Sequence, residues 1–207
     1  MSRTFYVCSY GGSGSKMLWQ WLRKYGRSLH IHSRKPPQDI EKVGGHVYHE
    51  WFNGIPVESP ENYTVLYIYR DPIDAILSRF NILPHLVHVQ VPKKYCRMKV
   101  LEHSYIDEDL YGLEEFFDNY TDESVERSYD IIAVKYETFF ENIDSLKEIL
   151  NLPSIGVPDP VRMERTKNPP ADLIERLEKK YKGLREKMAQ MPPVKVIRKK
   201  VNLSVLK

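Results

Sequence analysis

The sequence predicts an α/β protein of three layers, in which a mainly parallel central sheet is flanked by helices. Short apolar segments with strand character alternate along the chain with amphipathic helical segments, and this alternation is typical of parallel sheets. Two of the apolar segments lead through a turn directly into a helix. A length of 207 residues suits one domain with a core of its own. We therefore predict a single domain over 1–207, in which 190–207 could form a basic C-terminal tail.

The amino-terminal half predicts four strands and two helices. The strands are expected at 4–9, 28–33, 46–51 and 63–69, and the helices at 15–25 and 72–80. The run YTVLYIY at 63–69 is the strongest strand signal, because six of its seven residues are β-branched or aromatic and the seventh is leucine. Asp71 then suits the N-cap and Pro72 the first position of a helix.

The carboxyl-terminal half continues the alternation. It predicts helices at 109–120, 138–150 and 171–191 and a strand at 130–134. The segment 84–106 is rich in His, Lys and Tyr, and we expect it to be a mobile segment over a site. The last fifteen residues are basic with alternating Val, Ile and Leu, a pattern that suits an edge strand or a partner-contacting tail.

Composition and charge exclude several classes of protein. The formal net charge of +3 disfavours a general nucleic-acid binder. No apolar run approaches the length of a membrane span, and the N-terminus lacks the pattern of a signal peptide, so a cytoplasmic protein without a membrane anchor is expected. The two cysteines, Cys8 and Cys96, are too few for a disulfide framework or a zinc site.

A glycine-rich turn follows the first strand, in VCSYGGSGSKMLW at 7–19. Backbone N–H groups in such a turn form an anion cradle, and the dipole of the following helix adds to it. The glycines relieve the steric limits on the turn, the two serines add hydroxyl donors and the lysine adds a charge. The residues that we expect to hold a phosphate are Gly11, Gly12, Ser13, Gly14, Ser15, Lys16 and Met17.

The turn differs from the loop of metal-dependent nucleotide kinases. That loop has glycine before its lysine and a hydroxyl residue after it, which binds Mg²⁺. Here Ser15 and Met17 occupy these positions, and a thioether is a poor ligand for a hard cation. A P-loop nucleotide kinase is therefore the less favoured alternative, and no metal is expected.

The segment YIYRDPIDAILSRF at 67–80 supplies a second anion site. Arg70 ends a strand and Ser78 lies eight residues further on, so a guanidinium fork and a hydroxyl could bind one phosphate. At this point the chain resembles the sulfotransferases that use 3′-phosphoadenosine 5′-phosphosulfate (PAPS), whose Arg-x-Pro-x-Asp-x-x-x-Ser segment binds the 3′-phosphate. Arg70, Pro72, Asp74 and Ser78 match that segment in identity and spacing.

Two further segments share the resemblance, which spans about 4–152. Ser13-Gly14-Ser15 is similar to the family's loop for the 5′-phosphosulfate. Val134-Lys135-Tyr136-Glu137 is similar to its strand-ending Arg/Lys-Tyr-Glu-Asp, in which the tyrosine lies near the nucleotide, so Tyr136 is a candidate contact. The resemblance implies a P-loop-like sulfotransferase fold, PAPS as the sulfuryl donor and PAP as the product.

The resemblance also implies catalytic residues. The cytosolic branch of the family takes the acceptor's proton with a histidine about twenty residues before the 3′-phosphate arginine. His49 is our first choice for this base, His46 the second, and Glu50 is an alternative. The family's lysine or arginine before Ser-Gly is replaced here by Gly12, and Lys16 could supply that charge from another direction.

The function that these features predict is in-line, metal-independent sulfuryl transfer from PAPS to a hydroxyl or amine of a small-molecule or carbohydrate-like acceptor. Neither nucleic acid nor membrane is an expected partner. The alternative is a module that binds PAP or PAPS and has lost turnover, because of Gly12. The acceptor and the oligomeric state are left open.

Overall fold

A computed structural model of the chain describes residues 3–36, 42–43, 55–56, 63–79, 109, 111–127, 129–153, 156, 158 and 169–200. The strands are β1 (Thr4–Cys8), β2 (Arg27–Ile31), β3 (Lys42–Val43), β4 (Ile55–Pro56), β5 (Tyr63–Tyr69), β6 (Ile131–Lys135) and β7 (Val194–Ile197). The helices are α1 (Ser15–Leu22), α2 (Pro72–Arg79), α3 (Leu113–Thr121), α4 (Ile143–Ile149) and α5 (Ala171–Gln190), with a short 3₁₀ turn at Phe140–Asn142 before α4.

Five strands form a mainly parallel sheet in the order β2-β1-β5-β6-β7. The first four run parallel to their neighbours, and β7 pairs antiparallel with β6. The short strands β3 and β4 form a separate antiparallel pair. The predicted α/β class with a mainly parallel sheet is thus confirmed, and the basic segment near the C-terminus supplies a strand at 194–197.

Apolar side chains alternate between the two faces of the sheet, as the pleat of a strand requires. Phe5 and Val7 of β1 belong to one core, which α1 and α4 cover. Tyr6 and Cys8 belong to the opposite core, which α2, α3 and α5 cover. Helices therefore lie on both sides of the sheet, and each face buries its own cluster.

The faces on which the helices lie create a crevice at one edge of the sheet. The chain leaves β1 into α1 on one face, and it leaves the neighbouring β5 into α2 on the other face. Adjacent parallel strands whose connections depart to opposite faces form a switch point, and ligands of open α/β sheets bind there, at the carboxyl ends of the strands. The glycine-rich turn and Arg70 both lie at this crevice.

Several predicted helix boundaries were wrong. The first helix ends at Leu22 rather than Tyr25, and the next three residues tighten into a turn in which Lys24 N–H donates to the carbonyl of Trp21. The third begins at Leu113, after Gly112 in the left-handed region, rather than at 109. The helix predicted at 138–150 is a turn, a 3₁₀ segment and the shorter α4.

The start of α2 confirms the predicted cap. The carboxylate oxygen Oδ1 of Asp71 accepts the backbone N–H groups of Ile73 at 2.9 Å and Asp74 at 3.3 Å. These N–H groups have no partner within the helix, so the cap satisfies them and fixes where the helix begins. The strand predicted at 46–51 and the segment 84–106 lie outside the described residues. No helix of the described ranges is long and apolar enough to cross a membrane.

Candidate functional site

The glycine-rich turn adopts a conformation that depends on its glycines. Gly11, Gly12 and Gly14 have φ angles of 94°, 66° and 79°, in the left-handed region where a side chain is strained. The turn is held from within, because the hydroxyl of Ser9 accepts the N–H of Gly11 at 3.0 Å and the hydroxyl of Ser13 donates to the carbonyl of Gly11 at 3.0 Å. The turn between β1 and α1 is therefore preformed.

Arg70 reaches from the end of β5 to this turn. Its Nη1 donates to the carbonyl oxygen of Gly12 at 3.3 Å, and its Nη2 lies 3.5 Å from Oδ2 of Asp74. Its Cζ lies 5.2 Å from the centroid of the Tyr136 ring, within the range of a cation–π contact. Its buried Nε has no hydrogen-bond partner among the described residues. The guanidinium thus has an unused donor beside the turn.

Tyr136 closes the other side of the turn. It follows β6, and its backbone N–H donates to the carbonyl of Tyr69 at 2.8 Å. A Cβ atom on Gly14 would lie only 2.5 Å from two ring carbons of Tyr136, so the ring lies directly against the turn. The sequence placed Tyr136 near the nucleotide by resemblance, and the structure places its ring against the predicted loop.

Ser78 lies in the second turn of α2 and faces Gly12. A Cβ atom on Gly12 would lie 2.9 Å from Oγ of Ser78 and 2.9 Å from the carbonyl oxygen of Ala75. The Ser78 hydroxyl donates to that same carbonyl at 3.0 Å, so it must rotate before it can donate to a ligand. The structure therefore brings the glycine-rich turn, Arg70, Ser78 and Tyr136 together at one rim of the sheet.

Lys16 and Met17 occupy the first turn of α1 with opposite exposure. The Lys16 side chain is exposed, whereas Met17 is buried at 2 % exposure in the core with Leu18 and Trp21. The Met17 side chain is a packing residue, and only its backbone can contribute to the cradle. Lys16 carries an exposed charge beside the turn.

Tyr10 holds the backbone of Arg70 in place. The phenol oxygen of Tyr10 accepts the backbone N–H of Arg70 at 2.9 Å, and Tyr10 is fully buried. Burial raises the pKa of Tyr10 well above its usual value, so the hydroxyl stays neutral. Next to Arg70, Glu137 accepts the backbone N–H of Asp71 at 2.7 Å through Oε1. These two contacts fix the backbone that carries the guanidinium.

Sequence analysis missed two histidines that reach the turn, one in β2 and one directly after it. Nε2 of His30 lies 2.9 Å from Oγ of Ser15, and Nδ1 of His32 lies 2.7 Å from the carbonyl oxygen of Ser9. The pairing of β2 with β1 brings both histidines to the turn, because the two strands are parallel and end at the same edge of the sheet.

A groove of about 560 Å³ opens between α5 and the carboxyl ends of β5 and β6. Tyr69, Asp71, Lys135, Glu137 and Arg185 are among the residues that line it, and Nε of Arg185 pairs with Oδ2 of Asp71 at 2.8 Å. None of the predicted site residues that the structure describes lines this groove. It flanks the rim on the side of α5 and is separate from the anion cradle.

The candidate bases His46 and His49, and the alternative Glu50, lie outside the described residues. Within the described ranges, no group of three or more His, Cys, Asp or Glu side chains is placed to hold a metal ion. A comparison with protein families and with curated proteins finds no match to the chain.

Proposed function

We propose that the protein is a sulfotransferase that uses PAPS as its donor. The observation that supports this best is the position of the Arg70 guanidinium. It lies between the carbonyl of Gly12 and the ring of Tyr136, at the carboxyl edge of the sheet, with Ser78 against the same glycine. Three segments that are far apart in the chain and carry the sequence resemblance thus meet at one crevice.

The residues present fit a doubly phosphorylated nucleotide. The turn at 11–14 offers backbone donors at the N-terminus of α1, and a side chain at Gly12 or Gly14 would fill the space. The orphan Nε of Arg70 offers a charge-assisted donor for a second phosphate. The 5′-phosphate would be held by the turn with Ser15 and Lys16, and the 3′-phosphate by Arg70 and Ser78.

PAPS supplies a sulfuryl group, which passes in line from the 5′-phosphate oxygen to an acceptor oxygen or nitrogen and leaves PAP. The chain's own part is positioning and charge stabilisation. The cradle and Lys16 would hold the negative charge of the leaving phosphate. Tyr136 and Arg70 would orient the nucleotide. We assign the acceptor's proton to His49, with His46 as the second candidate, because imidazole titrates near neutral pH.

Gly12 favours one alternative, a module that binds PAP without turnover. Related loops carry lysine or arginine at this position, and the backbone here leaves no room for one. Release of PAP in the presence of hydroxylated acceptors separates the two proposals. Turnover on any acceptor supports the enzyme, and tight PAP binding without turnover on a broad panel supports the module.

We expect Arg70→Ala to weaken PAP binding by about 1.5–3 kcal/mol, or roughly ten- to a hundredfold in Kd, because a charge-assisted contact is lost. Isothermal titration calorimetry with PAP measures this. Arg198→Ala is the matched control, since Arg198 pairs with Asp130 at 3.0 Å where β6 begins, at the opposite edge of the sheet.

Equal affinities of Arg70→Ala and the unchanged protein would remove Arg70 from the site. Thermal-shift measurements with PAP, ATP and AMP, each with and without Mg²⁺, test the class of ligand. Stabilisation by PAP without Mg²⁺ is the expected result. Stabilisation by ATP only when Mg²⁺ is present would point instead to a nucleotide kinase.

A further inference from the structure

Residue 70 contacts the segment of the glycine-rich turn at two points. The hydroxyl of Tyr10, the residue before Gly11, accepts the backbone N–H of Arg70 at 2.9 Å. The Arg70 side chain reaches back to the turn, where its Nη1 donates to the carbonyl oxygen of Gly12 at 3.3 Å. One contact holds the backbone of residue 70 and the other holds its guanidinium, so together they fix the position of Arg70 relative to the turn.

The Tyr10 contact lies beyond the end of the pairing between β1 and β5. The last paired residues are Cys8 of β1 and Tyr67 of β5. After Cys8 the chain leaves the sheet for the turn, whereas β5 continues to Tyr69. The bond from the Tyr10 side chain to the backbone of Arg70 therefore joins two segments that the strand pairing no longer holds together.

The phenol oxygen of Tyr10 is an acceptor of fixed position. The Tyr10 side chain has no exposed surface. Its ring packs edge-to-face on Tyr67 of β5, with centroids 6.4 Å apart, and on Phe116 of α3, with centroids 6.2 Å apart. Because side chains in a close-packed core stay in one rotamer well, the hydroxyl cannot follow Arg70 if that residue moves.

The next backbone group is held by another segment of the site. Oε1 of Glu137, which follows Tyr136, accepts the backbone N–H of Asp71 at 2.7 Å. This contact relates residues 70 and 71 to the end of β6, and the Tyr10 contact relates them to the turn. Without the Tyr10 hydroxyl, the guanidinium contact with Gly12 alone would relate Arg70 to the turn.

The proposed nucleotide site has one phosphate pocket at the turn and another at Arg70. A ligand with two phosphates gains most from the second pocket when the two pockets already lie at the spacing of its groups, because no ordering cost then has to be met. We propose that Tyr10 is a positioning residue that sets this spacing, and that it thereby makes the site select a nucleotide with two phosphates of matching separation. The inference rests on the proposed function and adds a residue that acts through Arg70.

Calorimetry of the full chain with three nucleotides tests the proposal. PAP is compared with adenosine 2′,5′-bisphosphate, which has the same two groups at a different spacing, and with AMP, which lacks the second phosphate. Tyr10→Phe removes the hydroxyl and keeps the ring. We expect this variant to bind PAP about two- to tenfold more weakly, the effect of one hydrogen bond, and to bind AMP within about twofold of the unchanged protein. Its preference for PAP over the 2′,5′ isomer should narrow.

Tyr67→Phe is the matched control. Tyr67 is fully buried in the same core as Tyr10, and its hydroxyl has no hydrogen-bond partner among the described residues. We expect this variant to bind all three nucleotides like the unchanged protein. Equal losses of PAP and AMP affinity in Tyr10→Phe would overturn the proposal, since the hydroxyl would then only support the fold. Unchanged PAP affinity in Tyr10→Phe would overturn it too.

The unchanged protein gives a second test, which does not depend on the folding of a variant. Tighter binding of PAP than of both AMP and the 2′,5′ isomer supports a fixed spacing. Equal affinity for the two bisphosphates, with AMP weaker, would overturn the inference and leave the proposed function standing. Binding of PAP no tighter than that of AMP would overturn the proposed site for two phosphates, and the inference with it.

Discussion

Gly12 shows how one residue limits the chemistry of the site. Its φ of 66° belongs to the region that glycine occupies freely and other residues rarely adopt. A Cβ atom there would meet Oγ of Ser78 and the carbonyl of Ala75, each at 2.9 Å. The close approach of α2 to the turn thus depends on the missing side chain. The glycine at which the chain departs from the loop of PAPS-dependent sulfotransferases is required by the packing of this turn.

A basic residue at position 12 should therefore destabilise the protein without improving PAP binding. We expect Gly12→Lys and Gly12→Ala both to lower the free energy of unfolding, by roughly 1–3 kcal/mol, because of the backbone strain and the contact with α2. Gly12→Lys should also bind PAP no better than the unchanged protein. Urea unfolding and calorimetry measure the two effects.

Gly183→Ala is a control that should raise the free energy of unfolding rather than lower it. Gly183 lies in α5, and a Cβ atom there would meet nothing within 4 Å, so alanine should stabilise by up to about 1 kcal/mol. A Gly12→Lys protein of normal stability and higher PAP affinity would show that the turn rearranges easily.

At the scale of elements, Asp109 ties the start of α3 to α5. Its Oδ1 accepts the hydroxyl of Tyr181 at 2.6 Å, and its carboxylate receives the N–H groups of Leu113 and Glu114, each at 3.4 Å. Burial raises the pKa of Asp109 above its ordinary value of 3.8, although these hydrogen bonds oppose the shift. The folded protein thus holds this proton more tightly than the unfolded chain does.

This shift gives a pH dependence of defined sign. The stabilising contribution of Asp109 is complete below pH 3.8 and is lost as the pH rises through the raised pKa. Asp109→Asn removes the titration and suits the positive φ of 45° at this position. Relative to this variant, we expect the unchanged protein to lose stability as the pH rises above 3.8, measured from urea midpoints between acid and neutral pH.

The pKa of Asp122 is shifted in the opposite direction. The hydroxyl and the backbone N–H of Ser124 lower the pKa of Asp122, so its contribution is present above pH 3.8 and is lost as the pH falls. The unchanged protein should therefore gain stability relative to Asp122→Asn as the pH rises.

Parallel curves of stability against pH for Asp109→Asn and the unchanged protein would contradict the burial of Asp109.

The success of sequence reasoning differed between elements for physical reasons. β5 matched its prediction at both ends, because a run of seven residues of which six are β-branched or aromatic suits a buried strand. The segment 138–150 was harder, because amphipathic periodicity does not reveal the 3₁₀ turn at its start. At the site, the motifs predicted that Arg70 and the glycine-rich turn lie close together at one edge of the sheet, and they do. His30 was missed because its contact with Ser15 depends on the pairing of β1 with β2, which no local pattern encodes.

At the scale of the molecule, one core of the sheet is rich in tyrosine and surrounds the thiol of Cys8. Tyr6 and Tyr67 lie in the same buried cluster as Cys8, which has no exposed surface. Burial raises the pKa of Cys8 to about 12, and its thiol donates to the carbonyl of Ser33 at 3.5 Å. Both the access of a reagent to the Cys8 thiol and the ionisation of that thiol therefore depend on unfolding.

We expect iodoacetamide to modify Cys8 in the folded protein at least roughly a thousandfold more slowly than in the unfolded chain, since global opening must come first. Mass spectrometry of the peptide that contains Cys8 measures the rate, with guanidinium chloride as the unfolded reference. Rapid labelling under native conditions would mean that β1 opens without the rest of the sheet.

The stacking of Trp19 on His30 has an optical consequence. The indole N–H donates to the carbonyl of Ser28 at 2.8 Å, so the ring is held in register with β2 while it covers the imidazole. A charged imidazole quenches an adjacent excited indole by accepting an electron, whereas a neutral one does so poorly. The imidazole therefore lies where it can alter the emission of Trp19, and His30→Gln should change that emission without any added dye.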